Sequence, residues 1–78
     1  MRIDKFLKVS RIIKRRTLAK EAADRERILV KERIVKPSYI VKVGDVITIL
    51  LGLKEITIRV KSFEKGSEMY DVISEKKV

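Results

Sequence analysis

Apolar side chains recur at Ile3, Phe6, Leu7, Val9, Ile12 and Ile13, with Arg2, Lys5, Lys8, Arg11 and Lys14-Arg15-Arg16 filling the positions between. This spacing predicts an amphipathic helix that buries one side and leaves a basic side in water. Asp4 is the expected cap, because its carboxylate can accept first-turn N–H groups and oppose the positive end of the helix dipole. Thr17 is placed to cap a second helix, residues 18 to about 25, where Leu18, Ala19, Ala22 and Ala23 offer a small-residue packing surface. Lys14-Arg15-Arg16 then becomes the joint between two short helices. Cations beside the exposed N–H groups of a helix N-terminus make a phosphate-binding corner.

From Ile28 the pattern becomes strand-like. Ile28 and Val30, then Ile34-Val35, predict a short hairpin around Lys31-Glu32-Arg33, which Lys36-Pro37-Ser38 leaves as an irregular crossing. Val43-Gly44-Asp45 reads as a turn into the strand 46–51, and Gly52-Leu53-Lys54 turns the chain back into 55–60, where Ile56, Ile58 and Val60 share a face. Glu64-Lys65-Gly66-Ser67 reads as a further turn, residues 69–73 as a last short strand, and 74–78 as a polar, frayed tail. The predicted architecture is α+β: two short N-terminal helices packed on a small, bent, mostly antiparallel β-sheet. Residues 1–73 form a single domain, with a helical part at 1–36 and a strand-rich part at 37–73.

Of the formal net charge of +9, residues 1–36 carry +8, from thirteen Lys/Arg against five Asp/Glu. Residues 37–78 hold seven against six. An ordinary charge run is a solvated helix face. An excess this lopsided favours a polyanion instead, since each neutralised phosphate releases condensed counterions.

Cys and His are absent, which removes disulfides, most zinc sites and nearly all Cys- or His-based catalysis. Asp4, Asp24, Asp45 and Asp71 are scattered, and no nucleophile–base pair, Gly-rich phosphate loop or metal-ligand spacing occurs. A binding protein is expected, not an enzyme, with no cofactor and no metal. The start of the chain lacks the apolar core of a signal peptide, and the apolar run 46–51 is too short to span a bilayer. The cytosol is therefore the expected compartment. A membrane-surface role for the first helix is disfavoured, because its apolar side is needed to cover the sheet. Asn and Gln are also missing while Lys and Glu abound, a bias resembling that of heat-adapted proteins.

Arg2-Ile3-Asp4-Lys5-Phe6-Leu7, Lys14-Arg15-Arg16-Thr17-Leu18-Ala19, Lys36-Pro37-Ser38 and Val43-Gly44-Asp45 resemble, in order and spacing, the S4 RNA-binding domain with its alpha-L type fold. The likeness covers roughly residues 1–60. Among stand-alone members the chain looks most like the RqcP (YabO-type) proteins of ribosome-associated quality control, with Met69-Tyr70 resembling their final strand. The resemblance implies binding to large-subunit ribosomal RNA at the stem-loop called helix 69, and to the P-site peptidyl-tRNA of obstructed large subunits. It also implies cooperation with the NEMF-type factor RqcH, which adds alanine tails to stalled chains. The expected form is a monomer. Alternatives are an S4 factor in ribosome assembly, or heat-shock-type recycling of large subunits that carry peptidyl-tRNA. Two positions depart from the family: it ends its second helix near a Gly, where this chain has Glu26, and turns its first hairpin with Asn-Gly, where this chain has Lys31-Glu32. Both sites favour positive φ, so a different local shape is expected here.

The resemblance marks Arg2 and Arg16 as RNA ligands, with Arg16 also able to pair with Asp4, since a guanidinium fork can meet a carboxylate on one side and a phosphate on the other. Asp4 is expected to cap and to orient arginine, with a ribose hydroxyl or base amine as its RNA contact. Lys5, Lys8, Arg11, Lys14, Arg15, Thr17 and Lys20 are further candidates, joined by Lys36 after the hairpin. Phe6 belongs to the core by its spacing. The remaining aromatics, Tyr39 and Tyr70, are too few for a single-strand stacking surface, so a folded stem-loop is the expected target.

Overall fold

The computed structural model describes residues 1–64 and 68–77. In chain order these form α1 (Ile3–Val9), α2 (Arg16–Asp24), β1 (Ile28–Val30), β2 (Arg33–Ile34), β3 (Val46–Leu51), β4 (Lys54–Val60) and β5 (Tyr70–Lys77). The strands make one sheet, ordered β2-β1-β3-β4-β5, in which every neighbouring pair is antiparallel.

Alternation decides which face of the sheet is covered. Ile28 pairs with Ile49, Val30 with Ile47, and Ile47 in turn with Ile58, so one face carries a continuous branched-aliphatic layer. All five are buried. Ile3, Phe6 and Leu7 of α1 and Ala19 and Ala23 of α2 complete the same core. Phe6, fully buried as its spacing requires, meets Phe63 edge to face with ring centroids 6.0 Å apart. On the opposite face Thr48 and Thr57 face each other, their hydroxyls 3.2 Å apart.

Several local expectations are corrected. The first helix stops at Val9, short of Ile12 and Ile13. Arg11 adopts a left-handed conformation (φ 65°), and the Ile13 N–H donates to the Leu7 carbonyl at 3.0 Å. This turn brings Ile13 into the core, which a continuing short helix would not do. The second helix begins at Arg16, so Thr17 lies within its first turn and caps nothing; the capping position is Arg15, without a side-chain bond. Leu18, expected to pack between the helices, is 47% exposed, because the Ala19–Ala23 stripe faces the core and Leu18 lies beside it. The supposed tail is also structured: β5 runs to Lys77, pairing with β4 through Lys54, with a bulge opposite Thr57 and Ile58. The turn expected at 64–67 lies, after Glu64, outside the described residues.

At the two positions where a different local shape was expected, the backbone takes positive φ without glycine. Glu26 has φ 62° and closes α2: its N–H donates to the Ala23 carbonyl and that of Arg27 to the Ala22 carbonyl, both at 3.0 Å. This is the double reverse bond of a Schellman ending. Lys31 (φ 51°) and Glu32 (φ 67°) form the two-residue loop between β1 and β2, with the paired positive φ of a type I′ turn. Each such residue costs roughly 1 kcal/mol relative to glycine, which the packing of β1 against β3 and of α2 on the core overrides.

Candidate nucleic-acid interface

The segment after β2 positions the basic corner. The Ile3 N–H donates to the Tyr39 carbonyl at 2.8 Å and the Asp4 N–H reaches the Pro37 carbonyl at 3.4 Å. The Val41 N–H donates to the Met1 carbonyl at 2.8 Å, and Arg2 bridges to Ile40. Helix starts leave N–H groups without intrahelical partners; at α1 the chain from 37 to 41 supplies backbone carbonyls. The formal capping position is Arg2, which makes no side-chain cap bond, while Asp4, one position into the helix, still accepts a first-turn N–H, that of Lys5.

Asp4 also has a second task. It is 2% exposed, and its Oδ1 accepts the Lys5 N–H at 2.7 Å. Arg2 Nη2 donates to Oδ2 at 3.1 Å, while Arg16 Nη2 lies 3.4 Å from Oδ1. One buried carboxylate therefore holds two guanidiniums, one before α1 and one at the start of α2, each with its side chain nearly half exposed. A carboxylate contact occupies only part of a guanidinium's five donors. The remainder faces outward, as an anion would require.

Asp45 anchors this corner to the sheet. Its Oδ2 accepts the Tyr39 hydroxyl at 2.9 Å and the Lys42 N–H at 3.0 Å, and its carbonyl accepts the Val60 N–H at 2.9 Å. Burial, followed by the hydrogen bond and charge of Asp45, raises the Tyr39 hydroxyl above its ordinary pKa. Tyr39 and Tyr70 are half-buried, so neither offers a freely exposed ring for stacking. Sequence reasoning missed the Tyr39–Asp45 pair; the six-residue interval between a phenol and an acid carries no periodic signal.

Beside this corner lies a groove of about 540 Å³ between α2 and residues 34–38, into which Arg2, Lys20 and Lys36 all face. The structure thus gathers five candidate residues: Arg2, Asp4 and Arg16 through ion pairs, and Lys20 and Lys36 through the groove shared with Arg2. Lys5, Lys8, Arg11, Lys14, Arg15 and Thr17 are exposed on α1, on the turn and on the first turn of α2, outside that groove. Among the described residues none of these six joins an ion pair. The five cations among them extend the positive surface without shaping a site. Sequence reasoning also missed Asp24 and Glu26, which line the groove. The signal available was the four-residue step from Lys20 to Asp24, which puts both on one side of a helix. Among the described residues no helix is long and apolar enough to cross a membrane, and no three acidic side chains group as a metal site.

Residues 1–47 match the S4 domain family model. The RQC P-site tRNA stabilizing factor of Bacillus subtilis is 46% identical over the whole of this chain and 98% of its own length. The factor of the same name from Streptococcus pneumoniae is also 46% identical, over 100% of this chain and 96% of its own. Among solved structures, Heat Shock Protein 15 of Vibrio cholerae, described as trimeric, superposes with a TM-score of 0.86 at 26% identity, covering 95% of this chain and 82% of that one.

Proposed function

Because the chain belongs to the S4 domain family and, by full-length identity, to the RQC P-site tRNA stabilizing factors, we propose that it binds ribosomal RNA and P-site tRNA on obstructed large subunits in the cytoplasm. Its partners in this reading are the helix 69 stem-loop, the peptidyl-tRNA and the alanine-tailing factor RqcH. It acts as a binding protein and performs no chemistry on the RNA. The observation that carries the reading is the double ion pair of Asp4, which holds Arg2 and Arg16 pointing outward beside the groove of Lys20 and Lys36. Fixed guanidiniums suit phosphates and base edges of a folded RNA, because little side-chain freedom remains to be lost on binding. Lys5, Lys8, Arg11, Lys14, Arg15 and Thr17 border that surface and contact the flanking backbone.

The superposition on Heat Shock Protein 15 favours a second reading, heat-shock-type recycling of blocked large subunits, although that likeness is 26% identical against 46% for the stabilizing factors. Affinity capture of the tagged protein separates the two. Free large subunits with peptidyl-tRNA and the alanine-tailing factor support the quality-control reading. The same subunits without that factor support recycling. Small subunits or bare messenger RNA would overturn both.

A further inference from the structure

Residues 35–45 carry the chain from β2 to β3 with no helix or strand, apart from the single bridge of Ile40 to Arg2. Yet they supply the carbonyls that meet the start of α1. Such a segment keeps its shape through point contacts, and three of them converge on Tyr39. Its N–H donates to the Lys36 carbonyl at 3.0 Å, its carbonyl accepts the Ile3 N–H at 2.8 Å, and its hydroxyl donates to Asp45 Oδ2 at 2.9 Å. The first bond closes the turn that follows Lys36. The second fixes the residue after Arg2, and the third ties both to the sheet.

Asp45 holds its own place without the phenol. It is buried, its carbonyl accepts the Val60 N–H at 2.9 Å, and the Val60 carbonyl accepts the Gly44 N–H at 2.8 Å. Its Oδ2 already takes the Lys42 N–H, and its own N–H donates to the Lys42 carbonyl, both at 3.0 Å. The dependence therefore runs from Tyr39 to Asp45. A tyrosine side chain turns about only two torsions, so one bond at its tip fixes its backbone closely. Burial first and Asp45 second raise its pKa, which keeps the hydroxyl a donor through neutral pH.

Arg2 is the cation that depends on this segment. Its backbone is bridged to Ile40 and joined to Ile3, both set by the neighbourhood of Tyr39. Its side chain is 44% exposed and meets one carboxylate oxygen, Asp4 Oδ2, at 3.1 Å. A guanidinium on one contact keeps its aim only while its backbone stays in place. We infer that Tyr39, through its hydrogen bond to Asp45, is a positioning residue that aims Arg2 at the RNA. It touches no RNA itself. Val41 is buried, with its N–H on the Met1 carbonyl at 2.8 Å, and anchors the segment independently. Loss of the hydroxyl therefore loosens the segment without unfolding the chain. This inference rests on the RNA-binding reading above and adds to it a residue outside the basic set.

The test is fluorescence anisotropy with an RNA hairpin copying helix 69, at a salt concentration low enough for every variant to bind. Tyr39→Phe keeps the ring and removes only the hydroxyl. It is expected to bind about three- to tenfold more weakly, the cost of ordering one arginine that is no longer held. In an Arg2→Ala background the same change is expected to cost less than about twofold, because the side chain it aims is gone. In a Lys14→Ala background, on the turn between the helices, it is expected to keep its full effect. Loss of a merely structural bond would give the same factor in all three backgrounds. Undiminished binding by Tyr39→Phe, an equal loss with and without Arg2, a loss that disappears with Lys14→Ala, or unfolding of Tyr39→Phe at the assay temperature would overturn the positioning role while leaving RNA binding standing. Failure of the wild-type protein to bind the hairpin would overturn the RNA reading and this inference together.

Discussion

Asp4 Oδ1 lies 3.4 Å from Arg16 Nη2, so a buried carboxylate on α1 directs a half-exposed arginine at the start of α2. Simple electrostatics says that an acid beside an RNA surface weakens binding. Its geometry says the reverse. Asp4→Asn is expected to lower stability by about 1–3 kcal/mol through its weakened hydrogen bonds, and to lower RNA affinity although it removes a negative charge. Urea denaturation and hairpin anisotropy measure the two effects; tighter binding by the variant would reverse the assignment.

Arg16 has nearly half its side chain in solvent, so its removal costs little packing. Arg16→Ala is expected to weaken RNA binding by about 1–3 kcal/mol with the circular dichroism spectrum unchanged. Unfolding of the variant would instead make Arg16 chiefly a strut between helices.

Wild-type binding is expected to fall with salt along a log–log slope of roughly −3 to −5, the signature of four to six neutralised phosphates. Anisotropy titrations across a salt series read this slope, and a flat line would remove phosphates from the interface.

Glu26 and the Lys31-Glu32 turn hold positive φ without glycine. Glu26→Gly, and separately Lys31→Asn with Glu32→Gly, are each expected to add about 0.5–1 kcal/mol of stability. Since about 1 kcal/mol moves the melting point of a domain this size by roughly 4–8 °C, thermal melts suffice to see either change.

Tyr39 makes stability sensitive to alkali. Its folded-state pKa is raised, by burial first and the Asp45 hydrogen bond second, so the fold favours the neutral phenol. That contribution is whole below the ordinary phenol value of about 10 and is lost as pH rises through the raised value. In a Tyr70→Phe background, denaturation midpoints from pH 8 to 11 are expected to fall more steeply with Tyr39 present than in Tyr39→Phe. Parallel curves would mean the fold does not raise the Tyr39 pKa.

Much of the candidate site was legible in the chain because charge and apolar spacing are local properties. The basic residues before Thr17 and the core role of Phe6 follow from residues within one or two helical turns, whereas the Arg16–Asp4 pairing, twelve positions apart on two helices, was marked by the family resemblance. Cap assignments were only partly legible at that range. Asp4 does accept the Lys5 N–H, but the Ile3 and Asp4 N–H groups are met by the Tyr39 and Pro37 carbonyls, thirty-five or so positions away, and Thr17 caps nothing. The end of α1 was missed for a similar reason: burial of Ile13 is achieved by a left-handed Arg11, a conformation for which arginine gives no warning.

The amino-acid sequence by itself determined which residues go inside, where the positive charge concentrates, and that two helices precede an antiparallel sheet. Those outcomes depend on periodicity and on solvation of each side chain. Only the tertiary structure decided that Lys36 shares a groove with Arg2 and Lys20, that Asp24 and Glu26 line the same groove, and that β5 continues through the polar residues up to Lys77. Each of these depends on a partner distant in the chain, and backbone hydrogen bonding to such a partner can hold polar, exposed residues in place that periodicity alone leaves unassigned.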